Sequence, residues 1–171
     1  MIAVLLCAAV LSTSVDAAAP PVDFGAHESS GADRAAIERV LAAYTDAVRR
    51  GDEAAFKALL LNDHLSFSGV GGVLHSDGAH PFDPHQFKSF DQQIFQSGVK
   101  YQQSFYNVHI LQDGPLAQAS LDFVTQEAAN RRGGWGWKVL QLVKVDGRWK
   151  IASEFFTGHP LPSSGAAAGH G

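Results

Sequence analysis

Cysteine and basic side chains are both scarce in this chain of 171 residues. It holds 1 Cys, and its 13 Lys and Arg against 17 Asp and Glu give a formal net charge of -4. A nucleic-acid-binding protein needs a basic surface to meet phosphates, so this charge balance disfavours that class. With one cysteine the chain cannot form an internal disulfide, so the fold must depend on its apolar core.

The chain also has little that could cross a membrane. Its apolar run at residues 2–11 is shorter than the ~20 residues that a spanning helix needs. The run has the length of a signal-peptide core, and Val15 and Ala17 place small residues before a cleavage site, although no Lys or Arg precedes it. We therefore expect a signal peptide at residues 1–19 and a periplasmic or secreted protein; the alternative is a buried N-terminal helix. Cys7 would leave with the peptide, which excludes thiol catalysis.

The remaining sequence is long enough for one folded domain. We expect an N-terminal extension at residues 20–32, the domain at residues 33–157, and a flexible tail at residues 158–171. The tail is rich in Gly, Pro, Ser and Ala, and it has too few apolar side chains to offset the entropy of ordering it.

Helical periodicity marks the first part of the domain. Asp33 is the expected N-cap of a helix at residues 34–50, which Gly51 ends in a left-handed conformation. Asp52 is expected to cap a second helix that runs through Leu61. The apolar stripe of the first helix repeats every three and four residues and contains Ile37, Val40, Leu41, Tyr44, Ala47 and Val48.

A short strand and a third helix follow. Residues 64–68 alternate as a strand does, and a loop rich in glycine and proline comes next. Asp83, Pro84 and Gln86 have the spacing of a capping box with proline at the first helical position. This pattern predicts a third helix that Gly98 ends.

From residue 99 the apolar period changes to two, which predicts two hairpins. Their turns are Asp113-Gly114 and Asp146-Gly147, and the strands cover residues 99–112, 115–127, 135–145 and 148–156. Strict alternation gives the first hairpin one apolar face with Tyr106, Val108, Ile110, Ala117, Ala119, Leu121 and Phe123. It gives the second hairpin two apolar faces: Leu140, Leu142, Trp149, Ile151 and Phe155 on one, and Trp137, Val139, Val143 and Phe156 on the other.

The second face of that hairpin also carries Gln141 and Glu154 by the same alternation. Helices can cover one side of such a sheet, and the other side is open to a second subunit, so we expect a homodimer through the sheet. Glu154 is either an interface residue or an acid of a pocket, and the sequence leaves this choice open.

The order of elements resembles the nuclear transport factor 2-like (NTF2-like) superfamily, most closely its lumazine-binding and SnoaL-like branches. The strings that carry the resemblance are residues 44–52, YTDAVRRGD, and residues 142–151, LVKVDGRWKI. It implies an α+β fold in which three N-terminal helices pack in the concave face of a curved, mainly antiparallel sheet, a cystatin-like cone. It also implies a pocket at one end of the cone and dimers through the sheet. The superfamily contains isomerases, dehydratases, hydrolases and binding modules, so it implies no single activity.

Ketosteroid isomerase, an enzyme of this fold, gives one specific test. Tyr44 matches its helix tyrosine, but the position of its catalytic base falls at about Ser68, and residues 135–145 contain no carboxylate. These two departures exclude steroid isomerisation. Tyr44 then either lies in the core or donates a hydrogen bond to a ligand.

Our leading hypothesis is a binding protein for a small, mostly apolar or aromatic molecule. Pockets for such molecules have apolar walls and few polar groups. No dinucleotide loop is present, and no cofactor is expected. The expected pocket residues are Tyr44, Phe67, Phe90, Tyr106, Trp149 and Phe155.

Two other functions remain open. One is a cofactor-independent lyase or isomerase, with Tyr44 as oxyanion donor and a histidine base. The candidate bases are His64, His75, His80 and His109. The other is a protein-interaction or scaffold module.

Two polar groups could support chemistry, although each has a simpler explanation. His75, His80 and His85 are a weak alternative metal site, but their spacing matches no metal motif, and a polar loop at the pocket mouth is favoured. His109 and Asp122 lie near each other across the first hairpin and could hydrogen-bond, although a solvated sheet face looks the same.

Overall fold

Three helical segments precede the long strands in this protein. The computed structural model describes residues 25–162, so the expected signal peptide and the end of the expected tail lie outside the described residues. Helix α1 is Gly31–Arg50, α2 is Glu53–Lys57 and α3 is Phe87–Asp91, which continues into a π-helical segment, Gln92–Gln96. No helix within residues 25–162 has both the length and the apolar composition to span a bilayer.

The strands form one mainly antiparallel sheet. They are β1 Ser66–Gly69, β2 Tyr101–Asp113, β3 Leu116–Glu127, β4 Gly133–Val145, β5 Arg148–Phe156 and β6 His159–Pro160. Their order is β1-β5-β4-β3-β2, with β6 paired to β4 and β1 parallel to β5. The helices pack on one face of this sheet, which confirms the predicted α+β fold.

The predicted link between α1 and α2 is confirmed in detail. Gly51 has a φ of 65°, the left-handed conformation that glycine adopts without strain. The side chain of Asp52 accepts a hydrogen bond from the backbone N–H of Ala55 at 2.9 Å. The two caps end one helix and begin the next within two residues.

The predicted cap at Asp33 is wrong. Helix α1 begins at Gly31, and Asp33 lies in its first turn. Its carboxylate accepts hydrogen bonds from Lys144 Nζ at 2.7 Å and from Trp149 Nε1 at 3.1 Å, and the Lys144 bond is the main reason why the pKa of Asp33 lies below its usual value. Asp33 therefore joins the helix to the sheet.

Helices α2 and α3 are shorter than predicted because their flanking residues pair with strands. The backbone N–H of Leu61 donates to the carbonyl of Ile151 at 2.8 Å, which draws the chain out of helix α2. Residues 84–86 exchange two backbone hydrogen bonds with Phe67 in β1, so α3 begins only at Phe87. The Asp83 carboxylate accepts from the backbone N–H of His85 and caps no helix.

Both predicted hairpins are present, although the first turn is shifted by one residue. Asp113 pairs with Leu116, so this turn is Gly114-Pro115 and not the predicted Asp113-Gly114, whereas the second turn is Asp146-Gly147 as predicted.

Two bulges change which residues share a face. In β5, Ile151 lies opposite Leu142 and Ser153 opposite Gln141, so Ala152 is an extra residue. Each extra residue inverts the alternation beyond it. Phe155 therefore lies on the outer face, while Glu154 and Phe156 lie on the inner face, which corrects the predicted faces.

The bulge in β2 has the same effect. Tyr106 lies opposite Asp122 and His109 opposite Ser120, so Asn107 and Val108 together oppose one residue. Asn107 has a φ of 50°, a left-handed conformation that asparagine tolerates better than most residues. The side chain of Tyr106 consequently lies on the outer face of the sheet and is 53% exposed. The prediction had placed it on the same face as Val108 and Ile110.

Glycines at the start of β4 allow the segment that follows β5 to approach the β4 backbone closely. Strand β6 begins at His159, inside the segment expected to be a tail, and pairs with Gly134 and Trp135. A Cβ built at Gly136 would lie 1.9 Å from the carbonyl oxygen of Thr157. The absence of a side chain at Gly136 therefore lets the chain leave β5 and continue along β4.

We predict that Gly136→Ala lowers the free energy of unfolding by at least about 2 kcal/mol, because the methyl group overlaps backbone that must move. Urea denaturation measures this loss. Gly71→Ala is the control, since a Cβ there meets no atom within 4 Å, and its stability should change by less than about 1 kcal/mol. Equal stability of the two variants would contradict the close approach at Gly136.

Candidate ligand site

A pocket of about 210 Å³ lies between the α3 region and the inner face of the sheet. Helix α3 and its π-helical continuation form one wall, and strands β2 to β5 contribute the others. The apolar and aromatic side chains that line it are Phe90, Ile94, Phe123, Trp135 and Phe156.

Few polar side chains line this pocket. Gln103 on β2, Thr125 on β3 and Lys138 on β4 come from the sheet, and the exposed Gln93 comes from the helical wall. Gln103 and Thr125 lie directly opposite each other in the strand pair. The pocket therefore combines an aromatic wall with a small polar group on the sheet side.

A larger depression of about 840 Å³ shares no residue with this pocket. Its lining is mainly polar and charged, from Gln126 to Gly133, with Leu161 and Pro162 at its border.

Lys138 belongs to a buried polar network behind the pocket. Its Nζ lies 2.5 Å from Glu154 Oε1 and donates a hydrogen bond to the Tyr44 hydroxyl at 2.8 Å. The Tyr44 hydroxyl donates to Glu154 Oε1 at 3.0 Å. The Lys138 and Glu154 side chains are 2% and 0% exposed, so water does not screen their attraction. Four rings lie 4.6–5.5 Å from Lys138 Nζ: Tyr44, Phe105, Phe123 and Phe156.

Burial shifts the ionisation of this network. It lowers the pKa of Lys138, because the ammonium loses its hydration, while the nearby Glu154 carboxylate opposes that change. Burial also raises the pKa of Tyr44 well above 10.0, and the charge of Glu154 adds to the rise. Tyr44 therefore remains a neutral donor, and the Lys138 charge is balanced within the network.

Three different elements position these side chains. Tyr44 lies on the buried stripe of α1. Lys138 is two residues before the buried Leu140 and four before the buried Leu142 on β4, so strict alternation indicates from the sequence that it points inward. The predicted pocket residues nevertheless did not include Lys138. Glu154 reaches the inner face only because of the bulge at Ala152, and the sequence could not place it.

The structure separates the six expected pocket residues. Phe90 lines the pocket. Tyr44, Phe67 and Trp149 are buried in the core, at 0%, 1% and 4% exposure, and do not line the pocket. Trp149 pairs with Lys144, towards the other end of β4. Tyr106 and Phe155 lie on the outer face of the sheet, where the ring of Phe155 is 6.4 Å from that of Phe82. Because of the two bulges, Phe105 and Phe156 lie on the inner face instead.

The candidate histidine bases are not in the pocket. His64, His75, His80 and His109 are exposed, and none of them contacts the Tyr44 hydroxyl. The carboxylate of Asp122 accepts a hydrogen bond from Asn107 Nδ2 at 2.7 Å. The predicted contact between His109 and Asp122 is therefore replaced by a contact within the β2 bulge.

The weak metal alternative also finds no support. In residues 25–162 no three His, Cys, Asp or Glu side chains are grouped closely enough to hold a metal ion, so His75, His80 and His85 do not form such a cluster. At the position compared with the base of ketosteroid isomerase, Ser68 is buried and donates to the carbonyl of Asp83 at 3.0 Å.

The sequence matches the family model described as the SnoaL-like domain over residues 37–156, well over half of the chain. The chain belongs to the SnoaL-like family. Solved structures confirm the NTF2-like, or cystatin-like, fold of this SnoaL-like protein. A protein of unknown function from Nostoc punctiforme, with a cystatin-like fold, superimposes with a TM-score of 0.59 at 15% identity, over 79% of this chain and 98% of the other.

Two further structures show the same fold. An NTF2-like protein of unknown function from Methylobacillus flagellatus has a TM-score of 0.55 at 22% identity, covering 78% of this chain and 97% of that one. A proposed dehydratase of the NTF2-like family from Streptomyces avermitilis has a TM-score of 0.57 at 16% identity, covering 77% and 97%. Comparison with curated proteins finds no match.

We predict strong coupling between Lys138 and Glu154. Lys138→Met and Glu154→Gln should each lower the free energy of unfolding by about 3–5 kcal/mol, because each leaves the other group buried without its partner. The double variant should lose less than the sum of the two, with a coupling of about 2 kcal/mol or more. Urea denaturation followed by tryptophan fluorescence gives all four values.

An exposed ion pair is the control for this cycle. Arg34 lies 3.0 Å from Glu38 on the surface of α1, and Arg34→Met should cost less than about 1 kcal/mol. If the losses of the Lys138 and Glu154 variants simply add, the buried pair is not the constraint that we describe.

Proposed function

We propose that this SnoaL-like protein binds a small, mostly apolar or aromatic molecule in the pocket between α3 and the sheet. The observation that carries the proposal is the aromatic wall around few polar groups, which is the usual composition of ligand sites. The size sets a limit on the ligand: an apolar cavity of ~150 Å³ holds benzene, whereas drug-sized ligands need ~300–1,000 Å³. About 210 Å³ therefore suits a molecule with one substituted ring.

The geometry supports binding better than the two alternatives. A histidine-based lyase or isomerase needs an imidazole in the pocket, and the four candidate histidines are exposed elsewhere. The proposed oxyanion donor, Tyr44, already donates its proton to Glu154. A scaffold module needs no cavity, so the pocket favours a ligand over that function as well.

We expect single-ring aromatic compounds to raise the melting temperature of the protein. A ligand at ten times its dissociation constant adds about 1.4 kcal/mol, which is about 4 °C for a domain of this size. Gln93→Trp should abolish the rise, because Gln93 is exposed at the pocket and an indole there blocks entry. The measurement is a thermal-shift screen, and compounds that raise the melting temperature are then tested by calorimetry.

Gln92→Trp is the matched control for this variant. Gln92 is the neighbouring residue, is also exposed, and does not line the pocket, so the variant should keep the ligand response. No stabilisation by any compound at hundreds of micromolar, or equal responses of the two variants, would contradict the proposed site.

We also propose that the protein is a homodimer through the outer face of the sheet. Tyr106 and Trp137 are each 53% exposed and lie in one row across the strands, with Asp122 between them. Val139 and Phe155, opposite each other on the same face, are only half-buried. A patch of this kind is typical of an interaction surface.

Trp137→Lys should therefore shift the protein from dimer to monomer, because it puts a charge into the contact. Light scattering coupled to size-exclusion chromatography measures the mass. Val73→Lys changes an apolar residue that is 82% exposed in a loop outside the sheet, and it should leave the mass unchanged. A monomeric wild-type protein at micromolar concentration would disprove the dimer.

Export remains part of the proposed function. The support is the apolar run at residues 2–11 with Val15 and Ala17 before the cleavage site. Intact-mass measurement of the protein from the exported fraction should show a chain that begins near Ala18, and a retained Met1 would contradict cleavage.

A further inference from the structure

One side chain of the pocket is left incompletely hydrogen-bonded. Gln103 is 8% exposed, and its Nε2 donates to Thr125 Oγ1 at 2.6 Å. Its Oε1 is buried and has no hydrogen-bond donor among the described residues. Both side chains line the pocket, so this acceptor belongs to a residue of the proposed ligand site.

An unpaired buried acceptor is costly. Leaving one without a donor costs about 1–3 kcal/mol, and native proteins keep few of them. The terminal torsion of a glutamine is soft, so a small rotation about the bond next to the amide can turn Oε1 towards the pocket. A donor that enters the pocket would remove the cost.

The charges in the pocket limit what that donor can be. Lys138 is the only lining residue with a full charge among those described, and Glu154 balances it at a distance of 2.5 Å. An anionic or cationic ligand would therefore enter an aromatic pocket with no free countercharge, and it would lose its hydration without compensation. A neutral donor such as a hydroxyl avoids this loss.

We infer that the pocket selects a neutral molecule with an apolar or aromatic body and one hydroxyl group, which donates a hydrogen bond to Gln103 Oε1. The inference depends on the proposed function, since it specifies the ligand class of the same pocket. The paired probes are p-cresol and p-xylene, which differ by a hydroxyl in place of a methyl group of similar size.

The wild-type protein should bind p-cresol at least about tenfold more tightly than p-xylene, the effect of one satisfied buried hydrogen bond. In Gln103→Leu this preference should disappear or reverse, because the apolar pocket then favours the methyl group. Gln102→Leu is the matched control: Gln102 is the neighbouring residue, is exposed and does not line the pocket, so the preference should remain. Titrations followed by NMR give the dissociation constants.

Each outcome has a separate meaning. If neither compound binds to the wild type, the proposed pocket function fails, and the inference fails with it. If both bind and their ratio is the same in wild type and Gln103→Leu, the pocket stands, but its ligand class is wrong. Tighter binding of 4-methylbenzoate than of p-cresol would overturn the neutral class. Gln103→Met, close in size to glutamine, replaces the leucine variant if that protein does not fold.

Discussion

The buried pair of Lys138 and Glu154 is the constraint on which the inner part of this protein depends. Two charges at 2% and 0% exposure are tolerated only as partners, because either alone would lack both water and a counterion. Tyr44 on helix α1 hydrogen-bonds to both Lys138 and Glu154, so one network joins the first helix to strands β4 and β5. The position of α1 over the sheet therefore follows from electrostatics as well as from apolar packing.

The same network gives the pocket its character. The aromatic rings around Lys138 exclude water from the ion pair, and two of them, Phe123 and Phe156, also line the pocket. Lys138 also lines the pocket, but Glu154 balances its charge, so the lining side chain that has an unpaired buried acceptor is Gln103.

Much of the architecture was predictable because it depends on local rules. The glycine at position 51, the cap at Asp52 and the Asp146-Gly147 turn each act within a few residues, and the structure has all three where the patterns indicate. The predicted helix bounds were wrong where residues next to a helix form backbone hydrogen bonds with a distant strand. Leu61 and residues 84–86 hydrogen-bond to strands, which shortens two helices in a way that periodicity does not reveal.

The sequence alone determined the class of the fold, the number of helices, both hairpins and the family resemblance, since periodicity and turn chemistry are local. Only the tertiary structure decided the site. The bulges at Ala152 and Asn107 exchange Phe155 for Phe156 and Tyr106 for Phe105 on the inner face, and they bring Glu154 to Lys138. A single extra residue reverses the inward and outward alternation of every side chain beyond it. The position of that residue is set by pairing with the neighbouring strand, and the sequence of one strand carries no information about this pairing.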